Sequence, residues 1–266
     1  MIGLPRSTFY YQAKERDRAL SEEDLLAAIV AIKSEFPAYG VRRVTPALRR
    51  RGLIVNHKRV ERVMKTHGLS AKLKRRFVRT TDSDHPYPVY PNLYRNVIPA
   101  KPNIVWIADI TYIRLDEGFA YLAVILDACS RKVIGYAISK RIDTTLVLAA
   151  LEVAVVTRKP KPGTCIHHSD RGVQYASNAY RKALGDHGLI GSMSSIGNPY
   201  HNAQAESFMK TAKVEEIYLA GYGTYEDVVD RLPHFIEDIY NTKRLHSALG
   251  YVPPQEFEDQ YAQEAA

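Results

Sequence analysis

The sequence holds two cysteines, Cys129 and Cys165, in 266 residues. Two thiols cannot build a zinc-ligand pattern or a disulfide framework, and their scarcity fits a reducing cytosol. No apolar run reaches the roughly 18 residues of a membrane span, so no membrane segment is expected. The opening Met1-Ile2-Gly3-Leu4-Pro5 does not read as a secretion signal. Internal repeats and low-complexity tracts are also missing. Acid is scarce in one place above all: from Val41 to Arg79 only Glu61 is acidic, against 14 Lys and Arg. That excludes a charge-balanced surface there.

Positive charge is correspondingly concentrated. Residues 1–103 carry 21 Lys/Arg and 9 Asp/Glu, a net +12, whereas residues 104–266 carry 16 and 20, a net −4. This asymmetry suggests a nucleic-acid-binding portion joined to a near-neutral portion with another task. Within the basic part, Ser21-Glu22-Glu23-Asp24 reads as a helix start. Leu25, Leu26, Ile29, Ile32 and Phe36 follow at helical spacing, and Pro37 ends the run. Two more helices are expected around Gly52. The first, Val41 to Arg51, should kink or restart at Pro46 with Thr45 as cap. The second starts at the cap residue Asn56, turns Val60, Val63 and Met64 inward and closes at Gly68. Arg42, Arg43, Lys58, Arg59 and Arg62 on these helices are the candidate phosphate contacts. Prolines 86, 88, 91, 99 and 102 make residues 80–102 a linker.

Strand patterns then cluster at 104–114, 119–127 and 132–138, with turns at Asp116-Glu117-Gly118 and Ser130-Arg131. A helix at about 144–157, a strand at 164–168, a helix near 177–187, a strand near 189–194 and a helix from about 202 complete an α/β chain with a mixed (α+β) sheet. Residues 224–261 read as one long helix with Pro233 inside it, followed by an irregular tail. Leu232, Phe235, Ile236 and Ile239 form its apolar stripe.

Three acids organise this second part. Asp109 interrupts Ile104-Val105-Trp106-Ile107-Ala108, a run that reads as buried strand. Asp170 stands in His168-Ser169-Asp170-Arg171-Gly172, and Glu206 in Asn202-Ala203-Gln204-Ala205-Glu206-Ser207, with 35 residues between them. An unpaired carboxylate in a buried strand is costly, and three converging acids would repel one another. A divalent cation remedies both, and hard oxygen ligands suit Mg²⁺ or Mn²⁺. Taken singly, each acid has an ordinary alternative: a core pair, a turn, a solvated helix face. His167 and His168 are expected to be structural rather than ligands, and His246-Ser247 lacks the acid of a hydrolase triad.

The stretches Trp106-Ile107-Ala108-Asp109-Ile110-Thr111-Tyr112-Ile113, His168-Ser169-Asp170-Arg171-Gly172-Val173-Gln174-Tyr175 and Gly197-Asn198-Pro199-Tyr200-His201-Asn202-Ala203 occur in that order. Lys213 follows seven residues after Glu206, and Tyr240-Asn241-Thr242-Lys243-Arg244-Leu245-His246-Ser247-Ala248-Leu249-Gly250-Tyr251 closes the series. Together they resemble the Asp, Asp, thirty-five, Glu core of retroviral-integrase-type transposases, in particular the second-reading-frame transposases of bacterial insertion sequences. The likeness runs from about Tyr39 to Phe257. His201 departs from it, since many relatives have Asp there. The resemblance implies a ribonuclease-H-like catalytic core at 103–220, with its first and fourth strands adjacent. A small helical, helix-turn-helix-like DNA-binding region at 1–79 would precede it, and a helical tail at 221–266 would follow. It implies metal-dependent cleavage and strand transfer at the element's ends. Asp109 would bridge two Mg²⁺ (or Mn²⁺) ions per active site, Asp170 holding one and Glu206 the other. Implied partners are DNA, both element ends and target, a dimer or higher oligomer of the chain itself, and an upstream-frame helix-turn-helix protein as a fusion. The implied location is the bacterial cytoplasm at the nucleoid.

Glu206, Lys210 and Lys213 fall on one helix face, with seven residues spanning about 10 Å. Lys213 is a candidate DNA contact, Lys210 either a second one or an ion-pair partner of Glu206, and Arg171 a turn residue within reach of phosphate. Two competing readings remain: a catalytically idle DNA-binding protein derived from a transposase, and a plain ribonuclease-H-like nuclease. The three acids speak against the first, the basic helices and the tail against the second.

Overall fold

The computed structural model describes residues 20–71, 88–95, 97–194 and 202–264. The chain divides into two units, Met1–Ala71 and Lys72–Ala266. The aromatic stretch Ser7–Tyr11, the basic residues between Lys72 and Arg79, and the Gly197–His201 part of the third stretch lie outside the described residues.

Among the described residues, the first unit holds three helices around one core. Ser21 caps α1 (Glu22–Glu35) by accepting from the Asp24 N–H at 3.0 Å. Leu25, Ile29 and Ile32 then meet Val44 and Leu48 of α2 (Val41–Arg50) and Val60, Val63 and Met64 of α3 (His57–Thr66). The expected restart at Pro46 does not occur. Gly40, not Thr45, precedes the helix, which runs on through Pro46, and the Thr45 hydroxyl has no partner. Burial of Val44 and Leu48 on either side outweighs the one backbone bond that proline removes. Gly52, at φ +80°, turns the chain out of α2 while the Leu53 N–H reaches back to the Leu48 carbonyl at 2.9 Å. Asn56 caps α3 through the Lys58 N–H at 2.9 Å.

The second unit is built on a five-stranded sheet. Its strands are β1 (Val105–Arg114), β2 (Phe119–Asp127), β3 (Val133–Ser139), β4 (Ile166–Ser169) and β5 (Ile190–Met193), in the spatial order β3-β2-β1-β4-β5. The first three form antiparallel pairs; β4 and β5 run parallel to β1. Alternation along β1 sorts its side chains onto two faces. Trp106 and Ala108 join the core under α4 (Thr144–Arg158), short α5 (Val173–Ala176) and α6 (Asn178–Asp186). Val105, Ile107 and Ile113 join the core under α7 (Ala203–Ala212) and α8 (Tyr225–His234).

The C-terminal part corrects the reading of 224–261. It is not one helix with an irregular end. α8 widens after Pro233 into a π-helical segment, Phe235–Asn241, which ends the helix, and a separate α9 spans Pro254–Glu264. Val228, Leu232, Phe235, Ile236 and Tyr240 are part of the sheet's core. The Asn241 amide pairs with both the N–H and the carbonyl of Val133 at 2.9 Å. On α9, Glu258 accepts from Arg158 at 2.7 Å and Ser130 at 2.6 Å. This segment therefore covers the sheet. Among the described residues no helix is long and apolar enough to cross a membrane.

Candidate active site

Strand register brings the first two acids level. Parallel pairing sets Val105 against Ile166, Trp106 against His167 and Ile107 against His168. Two steps further on stand Asp109, on β1, and Asp170, just past the end of β4; neighbouring strands are spaced about 4.8 Å apart. Asp109 shares the face of Val105 and Ile107, the face that α7 covers. Asp170 leaves β4 in a tight turn in which its Oδ1 accepts from the Gly172 N–H at 2.9 Å. A Cβ on residue 172 would lie 3.0 Å from that same Oδ1, so a side chain there would push the carboxylate aside. Glu206 comes from α7, which seats Ala205, Phe208, Met209 and Ala212 in the core and leaves Glu206 exposed.

Asp109 is half-buried, and its Oδ1 accepts from the Ile110 N–H at 2.9 Å. Burial first, then the charge of Asp170, pushes its carboxyl up to about 8; Glu206 adds to the rise, while the Ile110 N–H and Lys213 oppose it. Asp109 thus feels both other acids and the lysine. Among the described residues, however, no three acids, histidines or cysteines are gathered into a ready cage for a metal ion. Lys213 does not simply continue the exposed face of Lys210. It is half-buried, with Nζ 4.6 Å from the centre of the Tyr112 ring, and burial lowers its pKa against the pull of Asp109. Lys210 is exposed.

The histidines are structural. His167 bonds Tyr180 at 3.0 Å, and His168 lies between Ser192 at 2.9 Å and Ser194 at 3.1 Å. Burial drives the His167 imidazole down to about 3, keeping it neutral. Arg171 donates through Nε to the Ser194 carbonyl at 2.8 Å, tying the Asp170 turn to the end of β5. On the first unit, Arg42 and Lys58 are exposed. Arg43 lies 5.7 Å over the Tyr39 ring, and Arg59 donates to the Leu20 carbonyl at 2.6 Å. Arg62 pairs with Glu22 at 2.8 Å, with both side chains half or more exposed, so the pair is weak competition for a phosphate.

Three participants escaped the sequence reading. Tyr112 supplies the ring under Lys213, and its only sequence signal is its place three residues after Asp109. Tyr94, from the stretch read as linker, lies 5.2 Å from the His168 ring and accepts from Gln204 on α7 at 2.9 Å. Arg244 grips Glu215, just past α7, with two bonds of 2.7 Å. Nothing local marks the last two.

Comparison with known proteins agrees with this architecture. Residues 20–77 match the HTH-like domain family, and residues 99–199 and 187–254 match two Integrase core domain families. The chain is 40% identical over 221 residues to the transposase for insertion sequence element IS904 of Lactococcus lactis, covering 83% of this chain and 87% of that one. It is 37% identical over 268 residues to transposase InsF for insertion sequence IS3A of Escherichia coli, covering 97% and 92%. An insertion element IS600 31 kDa protein of Shigella sonnei is 39% identical over 270 residues, covering 100% and 99%. Among solved structures, a chain of the simian T-cell lymphotropic virus intasome superposes with a TM-score of 0.50 at 17% identity, over 86% of this chain and 74% of that one. That likeness bears on the fold alone.

Proposed function

The chain belongs to the insertion-sequence transposases, with an HTH-like domain ahead of an integrase core, and we propose that Asp109, Asp170 and Glu206 form its single site for cleaving and joining DNA. The observation that carries this reading is the register of β1 and β4, which sets Asp109 beside Asp170 under the helix of Glu206. The donor set fits Mg²⁺ or Mn²⁺: all three side chains offer hard carboxylate oxygens, and Asp109 lacks enough positive charge nearby to ionise readily. Asp109, Asp170 and Glu206 would together hold the ions. Bound there, two ions supply charge to the attacking and leaving oxygens of an in-line displacement.

The protein's own groups do the rest. The Gly172 N–H fixes the Asp170 carboxylate. Lys213, held on Tyr112, places a point charge beside the acids, where a backbone phosphate can be received. In cleavage, a water oxygen bonds to phosphorus and the 3′-oxygen leaves with a proton. In joining, that 3′-hydroxyl attacks a target phosphodiester, one P–O bond forming as another breaks. Both are phosphoryl transfers, so one site serves both. The test is joining of a labelled element-end duplex with Mg²⁺ as the only divalent cation. Joined product supports the proposal; specific binding without joining would leave the idle DNA-binding protein.

The domain reading is a proposal of the same kind: a basic DNA-binding region at 1–79, a linker at 80–102, the catalytic core at 103–220 and a C-terminal part at 221–266. The full assembly would hold element ends and target DNA in an oligomer, in the cytoplasm at the nucleoid, with or without the upstream-frame protein fused. The exposure of Arg42, Lys58 and Arg62 supports them as phosphate contacts, whereas Arg43 and Arg59 make contacts within their own unit. With about five phosphates contacted, log K for duplex DNA should fall against log salt with a slope of about −4 to −5. Lys58→Ala should reduce that slope by about 1 and Arg59→Ala should leave it unchanged. A fluorescence-anisotropy titration at four salt concentrations decides, and equal slopes for wild type and Lys58→Ala would remove Lys58 from the interface.

A further inference from the structure

The helix that carries Glu206 does not stay α-helical. After Ala212 it widens into a π-helical segment, Lys213–Ile217. Such segments are rare and concentrate at functional sites. This one is held from outside by the C-terminal part of the chain. Arg244 sets its fork on Glu215, Nε to Oε2 and Nη2 to Oε1, each at 2.7 Å. The Arg244 side chain is 3% exposed and that of Glu215 12%. Thr211 stands 3.4 Å from Nη2, and the Tyr240 ring lies 5.7 Å from the guanidinium carbon.

Stability alone does not explain so buried a pair, because an apolar pair of similar volume often serves as well. A bidentate fork supplies something an apolar contact does not, a fixed direction. Two residues before Glu215, on the same widened segment, Lys213 lies over Tyr112. We infer that Arg244 is a positioning residue: through Glu215 it sets the widened segment so that Lys213 rests on Tyr112 beside the acids, instead of standing in solvent like Lys210. The consequence for joining rests on the function proposed above; the placement of Lys213 does not.

The experiment therefore has two arms, both on the full chain as wild type, Arg244→Lys and Glu215→Gln. In the first, without divalent cation, a limiting amount of N-hydroxysuccinimidyl acetate modifies lysines, and mass spectrometry gives the Lys213 to Lys210 ratio. In the second, kcat and KM for an element-end duplex are measured on the same preparations. Lys213 should react more slowly than Lys210 in the wild type. Releasing the clamp should raise the Lys213 to Lys210 ratio about fivefold, as local opening does. Joining kcat should fall about tenfold, with KM for the duplex little changed. A purely structural pair would instead lower the melting temperature and leave that ratio at its wild-type value in whichever variant folds, and this result would overturn the inference. If the wild type joins no DNA, the proposed chemistry fails, while a raised Lys213 to Lys210 ratio would still support the clamp.

Discussion

Asp109→Asn, Asp170→Asn and Glu206→Gln should each abolish cleavage and joining while leaving DNA binding at wild-type strength. Each change keeps the shape of the side chain and removes one carboxylate charge. On the proposed reading, removing a ligand from a shared metal site costs the transition state and not the ground-state contacts, which would include Lys58 and Arg42 on the first unit. A loss of at least about a thousandfold in joining rate is expected, on the scale of other groups that stabilise developing charge. The fold should survive: Glu206 is exposed, Asp170 sits in a turn, and Asn at 109 can still accept the Ile110 N–H. Gel assays of nicked and joined product, paired with anisotropy of end binding, separate the two effects. Joining near the wild-type rate in any one variant, with Mg²⁺ as sole metal, would remove that residue from the site.

In the absence of divalent cation, Asp109→Asn should also make the protein more stable at pH 8. The Asp109 carboxyl is pushed up to about 8 in the fold, against an ordinary 3.8 when unfolded. Between those values the folded chain holds a proton that the unfolded chain has released. Stability from this group is therefore fully present below about pH 4 and is lost as pH rises through about 8. Asparagine cannot ionise and escapes the loss. Because Asp109 is half-buried and keeps some contact with water, the gain at pH 8 should be about 2 kcal/mol, less than the full shift implies. That is roughly 4–8 °C in melting temperature for a domain of this size. The difference should vanish at pH 4, and Mg²⁺ should narrow it at pH 8 by stabilising only the wild type. Equal melting temperatures at pH 8 without metal would show that Asp109 is already compensated by groups within the fold.

How far the sequence carried the reading depended on the range of the interactions. β1 was legible because Val105 to Ala108 is apolar throughout, as a central strand buried on both faces requires. Asp109 stood out for the same reason, as an acid where the pattern asked for an apolar residue. The caps at Ser21 and Asn56 were legible because they act within three residues. Of the two outcomes expected at Pro46, a kink or a restart, the restart is absent because a local rule met a tertiary one: Val44 and Leu48 are buried on the same helix, which runs on through the proline. The C-terminal part misled for a different reason. Its ties to the rest, Asn241 to Val133, Glu258 to Arg158 and Arg244 to Glu215, join residues 29 to 108 positions apart. No periodicity in the segment itself announces such partners. Lys213 was found through its spacing from Glu206, but the ring beneath it comes from β1, and only the folded sheet brings the two together.

The most direct test of the central claim, that three acids from a strand, a turn and a helix make one metal site, is a count of bound Mn²⁺ by electron paramagnetic resonance. It would be made on the chain assembled with an element-end duplex. Two bound ions per chain are expected for the wild type, none for Asp109→Asn, and one, more weakly held, for Asp170→Asn and for Glu206→Gln. Two ions retained in Asp109→Asn would contradict the claim.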